Sequence, residues 1–133
     1  MKFKLIPLFL FLCALLSSCT QPNTLGTFKE GRYFHATVGP YGPADFRKLV
    51  LIIILPDGQY CSSIYENYEE SSATGKVKAT GDRLSFHDSF FIMKENGKFL
   101  LNSGEVMDYE ELDEESREKC TNMINSNKSV SVN

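Results

Sequence analysis

The 133-residue chain lacks tryptophan, has two histidines and carries no surplus of basic charge, and each shortage removes a class of function. His35 and His87 have no cysteine or second histidine at ligand spacing, so no zinc pattern is present. No Gly-x-Ser-x-Gly elbow, phosphate loop or dinucleotide fingerprint occurs. His87-Asp88 beside Ser85 or Ser89 comes nearest to a hydrolytic set, but neighbouring residues of a strand point to opposite faces. The reading is a non-enzymatic protein with no cofactor and no metal. Fourteen Lys and Arg against seventeen Asp and Glu give a formal charge of −3, which offers nothing to a nucleic-acid backbone or an anionic lipid surface.

One long apolar run exists, at the amino terminus. Lys2 and Lys4 precede Leu5 to Leu16, and the small residues Ser17 and Ser18 follow, the three-part pattern of a secretory signal. As a helix the run reaches about 18 Å, short of the roughly 30 Å hydrocarbon core of a bilayer. Residues 1–18 are therefore expected to be removed as a signal peptide. Leu16-Ser17-Ser18-Cys19 resembles the lipobox of bacterial lipoproteins, which implies that Cys19 is acylated and becomes the first mature residue. The alternative is an ordinary signal cut nearby, leaving Cys19 as a free or paired thiol. Two or more acyl chains hold a protein durably where one does not. By the family's sorting rule, Thr20 after the cysteine implies the outer membrane, facing the periplasm, with residues 19–30 as lipidated terminus and linker.

Removal of 18 residues leaves 115, room for one domain with a modest core, and loss of the two signal lysines moves the charge to −5. Of the four cysteines, Cys13 lies in the signal and Cys19 in the lipobox. Cys61 and Cys120 remain, and an oxidising periplasm favours a disulfide between them, the alternative being two buried thiols.

Short strands with regular turn signals fill the mature chain. Gly31 to Val38 reads as a strand that stops at Gly39, and the Gly- and Pro-rich stretch after it places Tyr41 and Phe46 on or beside a loop. Such aromatics either contact a partner or cap a small core. Lys48 to Leu55 does not alternate, so both of its faces are covered or one awaits a partner. Pro56-Asp57-Gly58 turns it into Gln59 to Tyr65. Glu66 to Gly75 is polar and reads as a loop, and Lys76–Thr80 and Arg83–His87 flank a turn at Gly81-Asp82.

Asn96-Gly97 is the strongest hairpin signal, because a two-residue type I′ turn needs positive φ at both positions. It predicts the pairs Glu95 with Lys98, Lys94 with Phe99, Met93 with Leu100 and Ile92 with Leu101. Phe91, Met93 and Leu100 then share one face and Phe90, Ile92, Phe99 and Leu101 the other, so something besides the sheet has to cover one of them. Asp108 to Ile124 is rich in helix formers, with Tyr109, Leu112, Cys120, Met123 and Ile124 near one face, Ser116 in the gap, and Asp108 or Asp113 as cap.

The expected fold is mainly β, a small antiparallel β-sandwich or barrel of about six or seven strands over residues 31–124 with one C-terminal α-helix. Residues 125–133 read as a flexible tail. The acidic stretch that includes Glu110, Glu111 and Glu114 reads as a solvated helix face or, with Tyr41 and Phe46, as a surface for a protein partner. Gly31-x-Tyr33, Asp57-Gly58-x-Tyr60 and Gly81-Asp82-x-Leu84-x-Phe86, behind a lipobox, resemble small lipocalin-like or NlpE-like bacterial lipoproteins. That resemblance implies a barrel and a small hydrophobic ligand, but the Cys-x-x-Cys of the copper-homeostasis members is absent. A second resemblance, to lipid-anchored lysozyme inhibitors, rests on Tyr60-Cys61 and Ser103-Gly104 and implies an inhibitor or immunity protein against a cell-wall- or membrane-directed toxin.

Overall fold

The structure, a computed structural model, describes residues 24–42, 45–87 and 89–132, with side chains up to residue 127. Nine strands follow one another: β1 (Gly31–Val38), β2 (Phe46–Ile54), β3 (Gln59–Glu66), β4 (Glu69–Lys76), β5 (Lys78–Thr80), β6 (Arg83–His87), β7 (Phe90–Glu95), β8 (Lys98–Leu101) and β9 (Val106–Glu110). One helix among the described residues, α1 (Glu114–Val132), comes last. All strand pairs are antiparallel, in the order β4-β3-β2-β1-β9-β8-β7-β6-β5. Between β4 and β5 the Val77 N–H donates to Gly58 O at 2.8 Å. The sheet curls on itself into a nearly closed barrel, and no helix among the described residues is long and apolar enough to cross a membrane.

Strand alternation sorts the side chains. Tyr33, Ile52, Ile54, Tyr60, Leu84 and Ile92, all at most 1% exposed, fill the interior, with Leu101 and Met107 beside them. Tyr33 packs edge-on to Phe99 at 5.0 Å and donates its hydroxyl to Lys29 O at 2.8 Å; burial holds its pKa up at about 12. Gly31 sits where a β-carbon would run into the Tyr109 ring and the Glu110 carbonyl, which is why that strand opens on glycine.

The β7–β8 hairpin has the register expected from its turn, Glu95↔Lys98 through Ile92↔Leu101, with φ of 51° at Asn96 and 76° at Gly97. Two segments differ from expectation. Glu69–Lys76, inside the polar stretch read as a loop, pairs residue by residue with β3 as an edge strand, where outward side chains meet water and need not be apolar. Val106–Glu110, at the start of the stretch read as helix, pairs with β1 and β8. These two strands raise the count to nine.

The helix accordingly starts later than expected, and Asp113 rather than Asp108 caps it, its carboxylate accepting from Ser116 N–H at 2.6 Å. That bond, with the Ser116 hydroxyl and then Arg32, holds the Asp113 carboxyl below its usual range. Helical backbone continues through residues 125–132, where a tail was expected. Ser116, Cys120 and Ile124 form the buried face, and a second cluster joins Cys120 and Ile124 to Ile53, Leu55 and Cys61. The Cys61–Cys120 disulfide, with Cα atoms 5.6 Å apart, fastens α1 to β3. Before β1, Leu25 and Phe28 are each 4% exposed and belong to the barrel core, so residues 24–30, read as the end of a linker, pack against one end of the barrel.

Candidate functional site: an uncovered apolar face and an open barrel mouth

The helix covers only part of the outer sheet. Leu51 and Ile53 pack under or beside it, while Leu49, two residues earlier on the same face, stays 36% exposed. Register extends this bare position sideways. On the outer face Leu49 lies between Ala36 and Tyr65, and across the barrel Met93 opposes Leu100, which opposes Val106. The β1–β9 pairing stops at Phe34↔Asp108, and beyond it a His35 ring nitrogen lies 3.1 Å from Val106 O. Among the described residues no strand pairing joins the two halves across β1 and β9 at this level, and the His35 ring bridges them instead.

The outer face thus carries two cross-strand rows of apolar or aromatic side chains, Met93, Leu100 and Val106 on β7, β8 and β9, and Ala36, Leu49 and Tyr65 on β1, β2 and β3. Val106 is 46% and Met93 37% exposed. At one end Arg83 lies 3.9 Å over the ring of Phe91, also on this face. At the other the second row deepens into an open groove of about 400 Å³ floored by Phe34, Ala36, Leu49, Leu51 and Tyr65, with Arg32 and Glu70 at its borders. Arg32 pairs with Glu110 at 3.4 Å and Asp113 at 3.6 Å, but its Nε is buried without a partner among the described residues. A chain this small gains by burying such surface against something.

The barrel end away from residues 24–30 is open. There Lys48 on β2 meets Glu105 at 2.9 Å, Glu66 at 3.9 Å and the Ser103 hydroxyl at 3.4 Å. Ser103 also donates to Glu105, and that bond, followed by the one from Lys48, holds the Glu105 carboxyl down at about 2. Below these groups lies a cavity of about 340 Å³ lined by Val50, Ile64, Phe90 and Leu101.

The residues expected to meet a partner do not come together. Tyr41, 86% exposed, and Phe46, 40% exposed, stand at the mouth end. Glu110 stands beside Arg32 and Glu114 opens α1, both at the opposite end with Glu111. Strand β1 separates them, since Val38 pairs with Phe46 while Arg32 pairs with Glu110, six residues or about 20 Å apart. Cys19 and Asp88 lie outside the described residues. Both ring nitrogens of His35 are engaged, with Val106 O and with Thr37 Oγ1 at 2.7 Å, and His87 stacks on Phe90 at 5.3 Å. Among the described residues no three His, Cys, Asp or Glu side chains are grouped to hold a metal ion.

Lys48, Glu66 and Glu105 were not among the residues expected at a site, because the partners of Lys48 are 18 and 57 positions away. The apolar rows did leave a signal, the lack of alternation in Lys48–Leu55 and the two-sided β7–β8 hairpin. Comparison of the chain with protein-family models, with curated proteins and with solved structures finds no match.

Proposed function

We propose that the protein is a bacterial lipoprotein, anchored in the cell envelope through acylated Cys19, that acts in the periplasm as a non-enzymatic binding or structural module. The observation that carries the reading is the pair of outer apolar rows, Met93 to Val106 and Ala36 to Tyr65, which α1 leaves bare although it covers Leu51 and Ile53 beside Leu49. The tether fits this geometry. Four residues lie between Cys19 and Thr24, five Cα steps or at most about 18 Å of extended chain, so an acylated Cys19 keeps the barrel end at residues 24–30 near the bilayer. The outer membrane is the favoured site, by the Thr20 rule.

Two experiments test the parts separately. Labelling with [3H]palmitate marks the protein and is lost in Cys19→Ala; label that persists in that variant contradicts the anchor. Affinity capture from envelope extract recovers one stoichiometric partner, and Leu49→Asp with Val106→Asp removes it; capture unchanged by both contradicts the role of the rows.

A second reading, an inhibitor or immunity protein for a cell-wall- or membrane-directed toxin or lysozyme, is favoured by one observation. Tyr41 and Tyr68 are 86% and 84% exposed at the mouth end, near Glu66, Glu69 and Glu105, a pairing of aromatic anchors with negative charge that suits a basic protein. A captured partner that is a cell-wall enzyme and loses activity in the complex favours this reading.

A further inference from the structure

The open mouth is a second site, independent of the outer rows. Its floor of Val50, Ile64, Phe90 and Leu101 is apolar, and the charged residues that line it among the described ones are Lys48 and Glu66, with Glu105 beside them as the close partner of Lys48. Lys48 is only 17% exposed, donates to Glu105 at 2.9 Å and to Ser103 at 3.4 Å and pairs with Glu66 at 3.9 Å, so an arriving anion meets a lysine already engaged by two carboxylates. Glu66 is half exposed at 51% and lies beyond hydrogen-bond distance of Lys48, which leaves it able to take a donor. The cavity of about 340 Å³ corresponds to roughly eleven waters, space for one short chain and not for two long ones.

We infer that the mouth binds a small single-chain amphiphile with a cationic ammonium head, its chain on Val50, Ile64, Phe90 and Leu101 and its head against Glu66. A carboxylate of the same chain length is the wrong ligand, despite the lysine, because Lys48 is neutralised twice over. The ammonium could belong to a free amine or to a lipid headgroup; the size of the cavity and, on the proposed anchoring through Cys19, its place at the barrel end away from residues 24–30 assign it to a free molecule.

The test uses the full lipidated chain in nanodiscs of phosphatidylglycerol, with hexylammonium and hexanoate as probes and the methyl NMR signals of Ile64 and Leu101 as readout. Hexylammonium is expected to shift both signals saturably, with hexanoate at least tenfold weaker. Glu66→Gln is expected to weaken hexylammonium about three- to tenfold and Glu66→Lys to reverse the preference. Lys48→Met is expected to strengthen hexylammonium, which a merely structural lysine would not do. Equal or tighter binding of hexanoate overturns the inference, as does the absence of saturable shifts with either probe. Discs containing phosphatidylethanolamine are expected to leave the signals in place; a shift on adding that lipid overturns the assignment to a free amphiphile.

Discussion

Leu49 and Tyr65 stand opposite each other on β2 and β3, both directed outward, one strand position beyond the reach of the helix that covers Leu51 and Ile53. On the inner face the neighbouring pair, Val50 and Ile64, lines the floor of the open mouth. One short stretch of sheet therefore builds both candidate sites, back to back.

Leu49→Asp and Val106→Asp should each cost about 1–2 kcal/mol of folding stability, since each side chain is only partly covered by its strand neighbours and aspartate suits a strand poorly. Chemical denaturation checks this. A loss of several kcal/mol would mean that the rows are buried by the chain itself.

The Cys61–Cys120 bridge closes a 59-residue separation, so its removal in a double serine variant should cost about 4 kcal/mol on the chain-entropy account. The transition midpoint in urea measures it. The native protein should resist alkylation at both cysteines until a reductant is added and should then gain two daltons.

Asp113→Ala removes the cap of α1 and one of the carboxylates facing Arg32, and should lower the unfolding temperature. Asp113→Asn, which still accepts from Ser116 N–H, should recover most of the loss. Thermal unfolding of the two variants separates the cap from the charge.

Glu105 gives the protein a defined acid limb. Its folded pKa of about 2 lies below the ordinary 4.5, so its contribution to stability is complete above about pH 4.5 and is lost as pH falls toward 2. Glu105→Gln should lower stability at pH 6 and leave it nearly unchanged at pH 2. Denaturation curves at the two pH values check the sign, and an equal loss at both would contradict it.

Local chemistry explains what the sequence made legible. The β7–β8 register follows from two residues, Asn96 and Gly97, that accept positive φ, and the Ser116, Cys120 and Ile124 face follows from helical spacing. Strand β4 was hidden because Glu69, Ser71 and Glu70 lie on an edge where polar side chains are as acceptable as in a loop. Val106–Glu110 was hidden because Asp108 to Glu111 run without a break into good helix formers, and only pairing with β1 and β8 makes the segment extended. The Lys48–Glu105 pair was out of reach for another reason: its partners meet only once the barrel has closed.

Site-specific photocrosslinking in intact cells tests the central claim most directly. A benzophenone side chain at Leu49 or Val106 of the lipidated protein should join it to one envelope component, while the same group at Lys119, 74% exposed on the solvent side of α1 and paired with Glu115, should not. Adducts at Lys119 equal to those at Leu49, or none at Leu49 and Val106, would contradict the account.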